Sequence, residues 1–147
     1  MLHNAINNIL YGTYIALYWI TINLTSRELH HMENVRIDEL NDKNLHEFEE
    51  KECNAIILFI NRADLKPGRM LNELQAALEE LDTDIEGWYC VADENTAVCT
   101  HFEVFGVPTF LAVGERAIRG VRYGIQTVNK LISFVEQSFP RQDLTGL

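Results

Sequence analysis

The stretch AIILFI at residues 55–60 decides the fold. An unbroken apolar run of this length, rich in isoleucine, is typical of a central strand that is covered by side chains on both faces. A loop with Pro67 and Gly68 follows, and then apolar residues recur at helical spacing: Met70, Leu71, Leu74, Ala77, Leu78 and Leu81. This pattern predicts a long amphipathic helix with the proline in its first turn.

Outside this stretch, the same two kinds of pattern alternate along residues 35–139. Apolar runs or alternation predict strands at four further places: 35–37, 88–92, 109–113 and 118–123. Helical spacing predicts helices at 41–52 and 95–102, and a last helix that Thr127 would cap. The order β-α-β-α-β-α-β-β-α predicts an α/β fold with a mixed central sheet between two layers of helices.

Length and composition fit one globular domain. The chain has 147 residues, of which 47% are hydrophobic and 23% charged, which excludes a disordered or collagen-like protein. Acidic residues outnumber basic ones 22 to 12. Since so negative a surface repels phosphate backbones, we expect no nucleic-acid partner. The three cysteines, Cys53, Cys90 and Cys99, form neither a CxxC motif nor a zinc-ligand pattern, so no metal and no cofactor are expected.

The beginning of the chain differs in character from the rest. Residues 1–26 contain no charged side chain, and their apolar part, 9–22, would span only ~21 Å as a helix, less than a ~30 Å membrane core. Neither the basic start nor the cleavage site of a secretory signal is present. We interpret residues 1–31 as an extra helix, a membrane anchor or a spurious extension before a true start at Met32. Residues 32–147 would form the domain.

The chain resembles the thioredoxin family over residues 35–139, in the order of its elements and at three places in the sequence. AIILFI at 55–60, with a proline-containing loop and a long helix after it, is similar to the family's active-site strand, loop and helix. FGVPTF at 105–110 is similar to the family's G-[IV]-P-T segment, whose proline is cis. RYGIQTVNKLISFV at 122–135 resembles the family's strand that ends in a glycine before the last helix. The resemblance implies a thioredoxin-like three-layer α/β/α sandwich.

The residues that run thioredoxin chemistry are replaced. A dithiol oxidoreductase needs a thiolate at a helix N-terminus and a second cysteine one turn further on. Aligned on its proline, the family's CxxC motif falls on Leu65-Lys66-Pro67-Gly68, which contains no sulfur. In the same alignment the family's tryptophan falls on Asp64 and its buried acid on Phe59. We therefore expect no conventional thioredoxin activity and, unless another thiol takes over, no enzyme.

The resemblance also implies a peptide-binding groove, which does not depend on the replaced residues. In proteins of this family the residue before the cis-proline pairs its backbone with an extended substrate segment. Here that residue is Val107, before Pro108, and Gly124 would border the same groove. We therefore predict a non-catalytic, cytoplasmic protein that binds a protein or peptide client at this groove, in an adaptor or chaperone-like role.

Alternatives to this function stay open. Cys99 is the one cysteine near the loop that carries Pro108, so a thiol-disulfide oxidoreductase or glutathione-linked redox protein would act through it. A domain tethered to a membrane through residues 9–22 is a third possibility. Finally, Arg62, Lys66 and Arg69 surround the replaced motif and form a candidate anion-binding patch beside a helix N-terminus.

Overall fold

The computed structural model describes Thr13 and residues 35–141. Contacts within the chain divide it into two units between Asn34 and Val35, and the sheet belongs to the second unit. Apart from Thr13, the predicted apolar segment 9–22 lies outside the described residues, as does Met32. Of the helices that are described, none is both long and apolar enough to cross a membrane.

The described residues form five strands, four α-helices and two short 3₁₀ helices. The strands are β1 (Ile37–Glu39), β2 (Ala55–Ile60), β3 (Glu86–Val91), β4 (Thr109–Gly114) and β5 (Ala117–Tyr123). The α-helices are α1 (Leu45–Glu50), α2 (Arg69–Leu81), α3 (Thr96–His101) and α4 (Val128–Ser138). The 3₁₀ helices, Arg62–Leu65 and Ala92–Glu94, follow β2 and β3.

The five strands form one mixed sheet in the order β1-β3-β2-β4-β5. β3 runs parallel to both β1 and β2, whereas β4 runs antiparallel to β2 and to β5. All six residues of β2 are completely buried, as its apolar run predicts. The predicted α/β fold is therefore confirmed.

Successive side chains of β2 belong to two separate hydrophobic cores, because alternate residues of a strand point to opposite faces of the sheet. Ile57 and Phe59 share a core with Phe48 of α1, with Val98 of α3 and with Phe102, which follows α3. Ile56, Leu58 and Ile60 belong to the core that α2 and α4 cover. The sheet is thus covered by helices on both faces, which explains why β2 carries no polar residue.

The first helix is shorter than its predicted range of 41–52. Asn41 and Asn44 accept hydrogen bonds from each other's backbone N–H through their side-chain oxygens (2.7 and 3.0 Å), which holds the chain in a turn. Asparagine side chains compete with the helix for backbone groups in this way. The helix therefore begins at Leu45.

The prediction that Pro67 lies in the first turn of the long helix is wrong. Gly68 precedes the helix in the left-handed conformation (φ +72°), so the first helical residue is Arg69. A left-handed residue cannot continue into an α-helical turn, and glycine adopts this conformation without the steric cost of a side chain. The four residues 65–68 that replace the CxxC motif consequently lie before the helix.

Candidate functional site

The loop that precedes β4 brings the predicted groove residues together. The Val107–Pro108 peptide bond is cis, and the Gly124 N–H donates a hydrogen bond to the Pro108 carbonyl (2.9 Å). The Thr109 hydroxyl donates to the Gly106 carbonyl (2.7 Å) and fixes the other side of the loop. Pro108 and Gly124 are therefore neighbours at the end of the β4–β5 pair.

The backbone of Val107 is not used by the sheet. The ladder between β2 and β4 ends at Thr109, and within residues 35–141 neither the N–H nor the carbonyl of Val107 forms a hydrogen bond. The residue is half-buried. Because backbone polar groups are strong and nearly always paired, these two are free to pair with an extended segment.

Three exposed large hydrophobic side chains belong to this loop or flank Gly124 in the sequence. Phe105 is 91% exposed, Tyr123 76% and Ile125 67%, and we call these three residues the apolar rim. Their neighbour Gly124 (φ +82°) has open space where a side chain would begin, so the surface between them is accessible. Exposed apolar groups that cluster in this way mark interaction sites more often than singly exposed ones do.

A cleft of about 350 Å³ lies beside the loop. Phe105, Gly106 and Val107 line one side of it, and Cys99 and Thr100 of α3 line another. We call it the α3 cleft. It places the half-buried Cys99 next to the unpaired backbone of Val107.

The positions that replace the catalytic motif hold no reactive group. Leu65 closes a 3₁₀ helix, and the following α-helix has no side-chain cap at Gly68. Phe59, at the position of the family's buried acid, is completely buried and packs edge-on against Phe102, with ring centroids 6.3 Å apart. Asp64 is exposed and accepts a hydrogen bond from the Asn61 N–H (3.3 Å). The buried carboxyl group that assists proton transfer in the family is therefore absent from position 59.

The candidate anion-binding patch is partly neutralised. The Arg62 guanidinium holds the Glu94 carboxylate through two hydrogen bonds, which lower the pKa of Glu94 and raise that of Arg62. Lys66 and Arg69 are exposed and form no ion pair with the part of the chain that the structure describes. The anion site stays a prediction, with two free cations and one that already has its carboxylate.

All three thiols are protonated at neutral pH. Burial, together with a hydrogen bond to Glu86 (3.2 Å), raises the pKa of Cys53 to about 11. Burial likewise raises the pKa of Cys90 to about 12 and also raises that of Cys99. Cys90 partly offsets the effect of burial on the pKa of Cys99. The sequence gives no sign of this influence, since Cys90 lies on a strand and Cys99 on a helix.

Asn95 and Asp42 fix α3, and with it Cys99, against the sheet. The buried Asn95 amide accepts a hydrogen bond from the Asp42 N–H (3.0 Å) and donates one to the Val91 carbonyl (2.9 Å). In return, the Asp42 carboxylate accepts from the Val98 N–H at the start of α3 (3.0 Å). Sequence reasoning treats Asn95 only as the first residue of a helix, and the partner is 53 positions away.

Replacing Asn95 with alanine is expected to lower the free energy of unfolding by about 1–3 kcal/mol, because two backbone groups lose their partner in a buried place. Urea unfolding followed by circular dichroism measures this loss. Asn129→Ala, on the exposed side of α4, is the matched control and should stay within about 0.5 kcal/mol of the wild type. Equal stability of the two variants would contradict the assigned role of Asn95.

A second cavity of about 630 Å³ lies between α1, α3 and the β4–β5 hairpin. Its acidic and basic side chains already pair with each other: His46 contacts Glu50, His101 contacts Glu49, and Arg116 forms an ion pair with Glu52. Across the described residues there is no cluster of three or more metal-ligating side chains. The acidic and basic side chains of this cavity therefore already have partners within it.

The fold is the thioredoxin-like fold, and the comparisons with known proteins agree with it. No family model and no curated protein matches the sequence. Among solved structures, the chain is similar to chloroplastic thioredoxin z, with 17% identity, a TM-score of 0.56 and coverage of 71% of this chain and 95% of that one. It is also similar to a mutant thioredoxin from Halobacterium salinarum NRC-1 (20% identity, TM-score 0.55, coverage 71% and 91%). A designed protein matches with 15% identity, a TM-score of 0.60 and coverage of 71% and 93%. At such identities the likeness shows the fold alone.

Proposed function

We propose that this chain is a non-catalytic protein with a thioredoxin-like fold that binds an extended protein or peptide segment, in an adaptor or chaperone-like role. The unpaired backbone of Val107, next to the apolar rim, is the observation that carries this proposal. A segment that passes the loop would pair with the N–H and carbonyl of Val107 as an added strand. Since side chains alternate along a strand, every second residue of the segment would face the rim.

The rim indicates what such a client contains. Phe105, Tyr123 and Ile125 are exposed aromatic or aliphatic groups, so the complementary client residues are apolar. Full burial of one such side chain contributes roughly 1.5–3 kcal/mol. The client is therefore an apolar, extended segment of a protein, and we expect the encounter in the cytoplasm.

The residues at the family's catalytic positions support binding without catalysis. Positions 65–68 contain no sulfur, so no thiol lies where the dipole of α2 could lower its pKa. The buried acid is replaced by Phe59, which belongs to the core. A client held at Val107 would meet no attacking group from this loop.

Binding is tested with short peptides selected from a random display library on the full chain, each labelled for fluorescence anisotropy. Val107→Asp should raise the Kd of the selected peptides at least about tenfold, because the added charge would be buried beside the bound backbone. Phe105→Ser should weaken binding similarly by removing rim surface. Ile118→Asp is the matched control, since Ile118 is also exposed (48%) but lies near the opposite end of β5, and it should bind normally. Selected peptides that bind both aspartate variants as well as the wild type would refute the proposal.

The alternative function is thiol exchange through Cys99, and its position in the α3 cleft beside Val107 is the observation that favours it. An insulin-reduction assay separates the two functions. We expect no turnover above background, because burial raises the pKa of Cys99 and leaves it protonated. Turnover that disappears in Cys99→Ser would replace the binding proposal with an oxidoreductase.

A further inference from the structure

The α3 cleft combines aliphatic and polar groups in its lining. Ala92, Val104 and Val107 contribute aliphatic groups, and Thr96 and Thr100 of α3 contribute hydroxyl groups. An apolar lining with a few polar groups is typical of a pocket that receives a side chain or a small molecule. The volume of about 350 Å³ leaves room for one long side chain.

Asp93 gives this cleft a negative charge. Among the described residues that line the cleft, it is the one with a charged side chain. Its carboxylate accepts a hydrogen bond from the backbone N–H of Arg62 (3.3 Å), but no Lys, Arg or His of residues 35–141 forms an ion pair with it. The Arg62 guanidinium is instead held by Glu94. The charge of Asp93 therefore remains available to a bound cation.

A second carboxylate adds to the negative potential of the cleft. Cys99 lines the cleft, and its pKa is raised by burial and also by the charge of Asp42. The Asp42 carboxylate is fixed at the start of α3, where it accepts a hydrogen bond from the Val98 N–H (3.0 Å). Both carboxylates therefore favour a cationic group in the cleft and oppose an anionic one.

We propose that the α3 cleft selects the client, by receiving the side chain of a lysine or arginine in the bound segment. This role of the cleft rests on the proposed function, since the segment that pairs with Val107 carries this side chain. Its methylene groups would pack against the aliphatic residues of the lining. Its cationic end would pair with the Asp93 carboxylate and donate hydrogen bonds to the hydroxyl oxygens of Thr96 or Thr100.

The cleft lies where a bound segment would place such a side chain. Val107 offers its unpaired backbone to the segment and also lines the cleft. Phe105 likewise lines the cleft and belongs to the apolar rim, so the two surfaces adjoin. Since alternate residues of an extended chain point in opposite directions, a basic residue would reach the cleft while its apolar neighbour in the sequence covers the rim. An apolar side chain in the cleft would instead cover the Asp93 carboxylate without pairing it, which costs free energy.

The test uses peptides selected from the random display library on the full chain, and it keeps those that Val107→Asp binds at least about tenfold more weakly. Replacing each Lys or Arg of such a peptide by Gln should identify one residue whose loss raises the Kd about fivefold. Asp93→Asn should raise the Kd of the original peptide by a similar factor, and both changes together should raise it little further. Asparagine retains an oxygen that can accept the Arg62 N–H, so this variant removes the charge and keeps the hydrogen bond.

A charge exchange and a control separate this pairing from a general loss of structure. Asp93→Lys should bind the peptide that carries Glu at the identified position more tightly than the original peptide, which reverses the preference of the wild type. Glu136→Gln removes the same charge from the exposed side of α4 and should bind the original peptide normally. Peptides that depend on Val107 but not on Asp93, or that contain no basic residue, would overturn the role of the cleft and leave the proposed function intact. Peptides that Val107→Asp binds as well as the wild type does would overturn both.

Discussion

Replacing Phe59 with alanine is expected to lower the free energy of unfolding by about 3–5 kcal/mol, as for other fully buried phenylalanines. Phe59 is completely buried on the central strand and contacts Phe102 edge-on, so alanine leaves a cavity between the sheet and the α1/α3 side. Guanidinium unfolding measures the loss. Tyr123→Ala is the control, because a side chain that is 76% exposed should change stability by no more than about 0.5 kcal/mol.

A second substitution at position 59 tests whether this core can hold an acid. The resemblance places the family's buried acid at Phe59, and an aspartate there would enter a core with no hydrogen-bonding partner for it. Burying a lone carboxyl group costs several kcal/mol, so Phe59→Asp should be less stable than Phe59→Ala. If Phe59→Asp were as stable as the wild type, this core would tolerate an acid, and its apolar surroundings would not account for phenylalanine at this position.

Those parts of the fold that rest on periodicity could be predicted from the sequence. The run at 55–60 has no polar residue because both faces of β2 are covered, and this pattern is visible without coordinates. Thr127 was likewise predicted to cap the last helix, and its hydroxyl accepts a hydrogen bond from the Lys130 N–H (3.4 Å). Both features are local, so neighbouring residues determine them.

Element ends were less predictable because backbone conformation determines them. The helix start at Arg69 depends on the left-handed Gly68, and a glycine after a proline is compatible with either side of a helix boundary. The hairpin turn between the strands predicted at 109–113 and 118–123 consists of Glu115 and Arg116. Both have positive φ (52° and 60°), as a two-residue hairpin loop of type I′ requires. No glycine or asparagine marks these two positions, so composition does not locate the turn.

Of the candidate site, the sequence indicated the loop but not its surroundings. Val107 and Pro108 were identified by a motif and Gly124 by its place before the last helix. The apolar rim was missed, since Phe105 and Ile125 look like core residues in a sequence. The pairing of Arg62 with Glu94 joins residues 32 positions apart, a distance that no local pattern covers.

Alkylation of Cys53 by iodoacetamide is expected to be about 100-fold slower at about pH 8 in the folded protein than in the unfolded chain. Burial and the hydrogen bond to Glu86 raise its pKa from 9.0 to about 11. At a fixed pH below the pKa, each increase of one in the pKa reduces the fraction of reactive thiolate about tenfold. The rate in the folded protein should therefore climb about tenfold per pH interval until about pH 11. Trypsin makes the measurement specific, because peptide 52–62 contains Cys53 as its single thiol.

Two controls show whether the folded structure determines the alkylation rate of Cys53: the variant Glu86→Gln and the alkylation rate of Cys90. Removing the Glu86 charge should speed alkylation, though not to the unfolded rate, since burial is the larger cause of the raised pKa. Cys90 is completely buried and reacts only when the chain opens, so its rate measures how much unfolding contributes. The raised pKa of Cys53 also makes the stability of the fold depend on pH. The neutral thiol is favoured in the folded state, so its contribution to stability is complete below pH 9 and is lost as the pH rises towards about 11. Equal alkylation of Cys53 in folded and unfolded chain at about pH 8 would show that its thiol is not held by Glu86 at all.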